Sequence, residues 1–247
     1  MKSRVWKYVL FAGVTGLGLW CMSLQNRILG TGFDEKGLLI GSNPELWLIW
    51  IVTGLYLAGA LVFSLLLGEG TDCRTLFPAC FFSGTASVVA GLVMLFSGIN
   101  TMIPGHMIQA GCWSVAGCAM VAGGVCRLRG RKPLWWADML IFGCYVTCLV
   151  LSYREWNTDP LIQAFAFHLL AMLVLMMFAM HRGRCAEGYP DRRKMVFFGL
   201  AGLYLSLVAI PGAETAGFYF ASAVWCAGGM CELDKQAPAA PGEAQAP

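Results

Sequence analysis

Two ionisable side chains lie inside long apolar stretches of this chain, where charge is costly and usually marks a working site. Asp138 is the fifth residue of one stretch, about 6 Å from its nearer end at the rise of an α-helix. It could bind a cation or a substrate amine; the alternative is an ion pair with Arg131 or Lys132 at the membrane interface. His168 lies deeper, as the eighth residue of another stretch. Its imidazole could relay a proton, bind a metal or ligate haem, or it could be neutral and hydrogen-bonded to a neighbouring helix.

Cysteine is the next residue type with reactive chemistry, and the chain contains eleven. Most lie inside apolar stretches and none form a CxxC pair, so they are interpreted as small apolar packing residues rather than a disulfide framework. Cys144 and Cys148, four residues apart, would place two thiols on one helix face, as a metal or redox site requires. Because no further ligand pair is evident at that depth, no metal site and no cofactor are predicted.

The segment 26–39 is the other concentration of polar residues, and it mixes charges with Phe33, Leu38 and Leu39. It could fold back over the bundle as a lid on a cavity, or it could be a loop partly sunk into the membrane interface. Its candidate functional residues are Arg27, Asp34 and Glu35, and Arg154, Glu155 and Asp159 of a later loop would lie nearby.

Motifs for enzymatic chemistry are missing from the sequence. Hydrolysis and phosphoryl transfer need a nucleophile with a base, paired carboxylates or a metal cluster. The chain contains no HExxH, no GxSxG and no phosphate-binding loop. An enzyme is therefore the weaker hypothesis.

The elements that position these residues are predicted to be membrane-spanning helices. Apolar residues make up 58% of the chain, with a mean hydropathy of +0.66. Spanning a bilayer core takes about 20 helical residues. Eight stretches approach this length: 5–23, 45–67, 76–97, 105–126, 134–153, 161–180, 195–213 and 215–233. Only Pro211, Gly212 and Glu214 interrupt the last two, so seven spans remain an alternative.

The distribution of basic residues predicts the orientation of these helices. Fourteen of the seventeen Lys and Arg residues, including Arg127 and Arg182, fall in the terminal segments and alternate loops that would lie on the same side of the membrane. Short basic loops stay in the cytoplasm, so both termini are predicted there. This topology also explains the net charge of +3 without a nucleic-acid partner.

Particular residue types mark the helix ends, the membrane interface and the contacts between helices. Asn43, Pro44 and Glu45 predict a capped helix start, as do 158–160, and Trp135 and Trp136 predict a membrane interface. Small residues four apart predict close helix contacts. These stripes are Ser83, Ser87 and Gly91; Ala119 and Gly123; Gly217 and Ala221; and Gly54 and Ala58.

The predicted fold is therefore an all-α, polytopic transmembrane bundle: one integral membrane domain over 1–233 and a disordered Ala/Pro-rich cytoplasmic tail over 234–247. The first functional hypothesis is non-catalytic binding or transport of a small, uncharged or amphipathic solute, because intramembrane charge is nearly absent. The alternatives are a structural or regulatory subunit with a membrane protein partner, and a redox or haem protein using His168. The compact loops favour a bacterial plasma membrane.

Overall fold

The computed structural model describes residues 2–31, 43–66, 81–102, 106–131, 134–156, 166–187, 189, 191–211 and 216–231. These residues form eight α-helices and no strand. In chain order they are α1 (Lys2–Thr31), α2 (Pro44–Leu66), α3 (Phe81–Asn100), α4 (Met107–Leu128), α5 (Trp135–Trp156), α6 (Ala166–Glu187), α7 (Arg192–Val208) and α8 (Ala216–Cys231). Each predicted stretch overlaps one of them, so the all-helical class is confirmed for the described residues.

Five of the described helices, α2 to α6, are long and apolar enough to cross a membrane. Helices α7 and α8 have 17 and 16 residues, fewer than the roughly 20 that span a bilayer core. A bundle with five such helices fits a multi-pass membrane protein. The predictions that the chain crosses the membrane eight times and that both termini lie in the cytoplasm stay predictions.

The capped start of α2 that the sequence predicted is confirmed. Asn43 Oδ1 accepts a hydrogen bond from the Glu45 backbone amide at 3.0 Å, and Pro44 occupies the first helical position, where no amide is needed. Trp135 and Trp136 are exposed at the start of α5, as expected for an interface. The predicted cap at 158–160 and the tail at 234–247 lie outside the described residues.

Five helices run past their predicted ends, and in three of them the extension changes the assignment of a loop or an arginine. Helix α4 continues to Leu128 and α6 to Glu187, so Arg127 and Arg182 belong to helices and not to the predicted loops. Both arginines are buried in the bundle. Helix α1 reaches Thr31, which makes the first part of the predicted loop 26–39 helical. The prediction that these two arginines lie in loops was therefore wrong, and the bundle interior carries more charge than the sequence indicated.

Helix α8 lies at the centre of the bundle and contacts all five helices from α3 to α7. The helices α1 and α2 pack against α7 instead. The contacts of α8 are Gly228 with Ala86 of α3, Phe218 with Trp113 of α4, Ser222 with Tyr145 of α5, Trp225 with Arg182 of α6, and Cys226 with Gly202 of α7.

Helices α3 and α4 approach most closely, through glycines seven residues apart. A Cβ atom on Gly91 would lie 2.6 Å from the Gly117 carbonyl oxygen, and one on Gly124 would lie 2.8 Å from the Gly84 carbonyl oxygen. Backbone contact of this kind gives helices a large packing surface where lipid offers little hydrophobic reward. The predicted stripe ending at Gly91 is confirmed.

Other predicted stripes have mixed outcomes. On α8, Ala221 is buried, and a Cβ on Gly217 would collide with Ser97 of α3. On α4, Ala119 is buried, but a Cβ on Gly123 would meet nothing within 4 Å. The α2 stripe is wrong as a contact surface, because Gly54 and Ala58 are both exposed. Spacing alone did not indicate which way α2 is rotated.

Candidate functional site

A carboxylate and a guanidinium meet inside the bundle, where α5 begins and α6 ends. Asp138 Oδ1 lies 3.6 Å from Arg182 Nε, and the two side chains are 7% and 2% exposed. The sequence analysis gave Arg131 or Lys132 as the possible ion-pair partner of Asp138, whereas the partner in the structure is Arg182. The pair lies in the bundle interior rather than at an exposed interface.

Trp225 of α8 provides an aromatic surface for this ion pair. The Arg182 Cζ atom lies 4.7 Å from the Trp225 ring centroid, a distance at which a cation and an aromatic face attract. Phe178 packs edge-on against the same indole at 5.1 Å. A Cβ on Gly229 would lie 2.7 Å from Phe178 Cζ, so this glycine leaves room for the phenyl ring that packs on the indole.

A second buried arginine joins the pair from α4. Arg127 Nη1 donates a hydrogen bond to Ser83 Oγ of α3 at 3.1 Å, and Arg127 also acts electrostatically on the Asp138 carboxylate. Side chains from five helices thus converge at one end of the bundle. We call this group the arginine cluster; its members are Ser83, Arg127, Asp138, Arg182 and Trp225.

Polar contacts continue along α8 from the arginine cluster. Ser222, three residues before Trp225, hydrogen-bonds the Tyr145 hydroxyl of α5 at 2.8 Å. Tyr219, a further three residues back, packs edge-on against the His168 imidazole of α6 at 5.3 Å. Each position is three residues from the next, so these residues wind along α8 as a row about 9 Å long at the rise of a helix, with Tyr219 and Trp225 about 120° apart around its axis.

The structure buries two of the predicted candidates and leaves two others exposed. Asp138 and His168 are both buried; Asp138 pairs with Arg182, whereas His168 packs on Tyr219 of α8. Arg27 and Arg154 are exposed near the ends of α1 and α5. Asp34 and Glu35 lie outside the described residues, so the lid stays a prediction.

A signal for the missed arginines was present in the spacing of buried residues. An alternating three-and-four spacing marks one face of a helix. On α4 this face consists of Trp113, Gly117, Met120, Gly124 and Arg127, and on α6 of His168, Ala171, Leu175, Phe178, Arg182 and Cys185; all are buried. Each arginine therefore continues the buried face of its helix, but which face is buried is known only from the packed bundle.

A separate polar contact ties α1 and α2 to α7. The Tyr204 hydroxyl of α7 lies 2.9 Å from Thr53 Oγ1 of α2 and 3.3 Å from Cys21 Sγ of α1. Tyr56 of α2 donates to the Leu200 carbonyl oxygen at 3.0 Å. This group holds helices together on the far side of α7 from α8.

Metal and haem chemistry have little support in the described residues. No group of three or more His, Cys, Asp or Glu side chains there is arranged to hold a metal ion. His168 and His181 lie on the same helix and face different aromatic rings, Tyr219 and Phe198. Their positions do not provide two facing axial ligands.

The side chains of the arginine cluster are suited to binding. Opposed charges and an aromatic face together suit a molecule that has a polar group and an apolar part. Comparison with protein-family models, with curated proteins and with solved structures finds no match to this chain.

Proposed function

We propose that this multi-pass membrane protein binds a small amphipathic solute at the arginine cluster and moves it across the membrane without chemical change. The observation that carries the proposal is the ion pair between Asp138 and Arg182, buried where five helices converge. The solute's polar group engages this pair, and its apolar part packs on Trp225 and Phe178.

The energetic cost of the pair supports a working role. Taking two charges out of water costs several kcal/mol per ion, and well-packed apolar residues of similar volume are often as stable or more so. Ionisable residues inside membrane proteins accordingly mark substrate or ion pathways. Packing alone therefore does not explain why charged residues stand at positions 138 and 182.

The row along α8 supports movement rather than binding alone. Tyr145 with Ser222, and then Tyr219 with His168, place polar and aromatic groups at successive turns beyond the cluster. From Trp225, a solute would meet Ser222 and then Tyr219, at about 4.5 Å and about 9 Å along α8 by helix rise. His168 and Asp138 serve the same route in this proposal.

The first test is native mass spectrometry of the full-length protein extracted in mild detergent. We expect a bound small molecule in the wild type, retained by Asp191→Asn and lost from Asp138→Asn. Asp191 is the matched control because it pairs with Lys194 in a partly exposed ion pair. Arg182→Lys, which keeps the charge, is expected to bind more weakly than the wild type.

The second test measures uptake of the identified molecule into proteoliposomes. Saturable uptake that is lost in His168→Ala and Asp138→Asn supports transport. A wild-type protein that carries no small molecule and takes none up, or binding unchanged in folded Asp138→Asn, would overturn the proposal. Co-purification of a second polypeptide instead of a small molecule would favour the structural-subunit alternative.

A further inference from the structure

Three free thiols meet where α4 packs against α5. Cys112 of α4 is within hydrogen-bonding contact of Cys148, Cys144 and Thr147, all of α5. All three cysteines are unbridged, with Cys148 buried and Cys112 and Cys144 half-buried. The sequence identified Cys144 and Cys148 as a pair; the fold adds Cys112 to them.

The hairpin geometry explains why these residues face each other. The turn between α4 and α5 contains Gly130 in the left-handed region, with a φ of 66°. Cys112 and Cys148 each lie eighteen residues from Gly130, on opposite sides. Ala116 and Cys144 each lie fourteen residues away, and the Cys144 thiol contacts the Ala116 backbone. Antiparallel packing about this turn therefore sets Cys112 opposite Cys148.

Only Cys112 can complete a disulfide within this group. Cys144 and Cys148 are four residues apart on one helix, where Cβ atoms are roughly 5–6 Å apart. A disulfide needs a Cβ separation of about 3.5–4.5 Å. The two thiols of α5 are therefore poorly placed to bridge each other, and each must use Cys112 from the facing helix.

We propose that Cys112 and Cys148 form a reversible disulfide when the protein meets hydrogen peroxide, with Cys144 as the substitute partner of Cys112. The Cys112 sulfur attacks one peroxide oxygen, becomes a sulfenic acid and releases water. The Cys148 sulfur then displaces that hydroxyl, the S–S bond forms and a second water leaves. Two thiols and one peroxide give one disulfide and two waters, with two electrons passing to the peroxide.

The position of Cys112 suits the first step. It lies five residues after the start of α4, about 8 Å along the helix, and is more accessible than Cys148. Exposure and nearby hydrogen-bond donors favour oxidation of a thiol, and a resolving cysteine beside it directs the product to a disulfide. The bridge ties together two helices that both contact α8.

The test treats the full-length protein in nanodiscs with hydrogen peroxide, blocks remaining thiols with N-ethylmaleimide and maps linked peptides by mass spectrometry. Trypsin can cut at Arg129 and Arg131, which are exposed in the turn. We expect a peptide pair joining Cys112 to Cys148 that dithiothreitol separates. The solute-binding proposal is unaffected by either result.

Four variants make the outcome specific. Cys112→Ser, with Cys112→Ala as a second version, is expected to abolish every link between α4 and α5. Cys148→Ser is expected to move the link to Cys144. Cys118→Ser, an exposed cysteine on the same helix, is the matched control and is expected to leave the link unchanged. Peroxide treatment that yields no linked peptide in the wild type, or a link that persists without Cys112, would overturn the inference.

Discussion

Helices α2 and α8 differ in what surrounds them, although both are predominantly apolar. Helix α2 has the highest hydropathy of the five candidate spans, yet only 22% of its most apolar window is buried. Among the described side chains of the shorter α8, Phe220 alone is exposed. Lipid tails are as apolar as leucine, so an apolar helix gains little by moving inward. High hydropathy therefore does not mark the central helix; α8 is central through close packing and through the buried charge beside it.

The largest expected effect on stability comes from removing the buried charge of Arg182, which packs on Trp225 of α8. We expect Arg182→Met to lower the free energy of unfolding by about 3–5 kcal/mol, because the Asp138 carboxylate stays buried without its guanidinium. Unfolding in mixed micelles by titration with dodecyl sulfate measures this. Leu55→Met, on the exposed face of α2, is the control and is expected to change stability by less than about 0.5 kcal/mol.

A double variant sharpens this result. Asp138→Asn combined with Arg182→Met is expected to be more stable than Arg182→Met alone, since no buried carboxylate remains. If Arg182→Met cost no more than Leu55→Met, the ion pair would not distinguish the interior from the lipid-facing helix.

A glycine in each helix gives the second comparison. A Cβ on Gly228 of α8 would lie 2.7 Å from the Ala86 methyl carbon, whereas one on Gly54 of α2 would meet nothing within 4 Å. Since the Ala86 methyl cannot rotate away, we expect Gly228→Ala to cost about 1–3 kcal/mol. Gly54→Ala is expected to be neutral or slightly stabilising. Equal melting temperatures for the two variants would contradict the central position of α8.

Helix α7, which contacts both α2 and α8, begins with the N-cap residue Asp191, which lies outside the predicted membrane spans. Asp191 accepts hydrogen bonds from Lys194, and these lower the pKa of Asp191 although partial burial opposes them. Asp191→Ala is expected to cost about 1 kcal/mol, the usual worth of a cap. Because the folded pKa lies below the ordinary value of 3.8, the charge contribution is complete above that pH and is lost as pH falls through the folded pKa.

Asp191→Asn separates the two parts of this contribution. It keeps the capping oxygen but not the charge, so we expect a small loss at neutral pH and a weaker dependence on pH below about 4. Thermal unfolding between pH 3 and pH 7 measures both. The same pH slope in Asp191→Asn and the wild type would assign the dependence to other groups.

The smallest expected effects are those of buried hydroxyl contacts, one in each region. Tyr204→Phe removes the contact with Thr53 of α2, and Tyr145→Phe removes the contact with Ser222 of α8. Hydrogen bonds between membrane helices average about 0.6 kcal/mol. We expect similar losses in both, because packing rather than hydrogen bonding distinguishes the regions. A loss several times larger at Tyr145 would mean that polar contacts also favour α8.

Much of the fold could be predicted from the sequence, but the candidate site only in part. The length of each apolar stretch and the Asn43 cap located the helices, and the cost of intramembrane charge selected Asp138 and His168. Arg127 and Arg182 were missed, because an arginine near a helix end can either face the headgroups or turn inward. Only the packed face of α4 or α6 decides between them.

The sequence by itself determined that this chain forms apolar helices and approximately where along the chain they lie, because backbone groups in lipid must pair within one helix. The tertiary structure decided how each helix is rotated and which one is central. Those choices depend on close backbone approach at glycines and on charges that pair across helices. Both join residues far apart in sequence, as Asp138, Arg182 and Trp225 show, so no local pattern contains them.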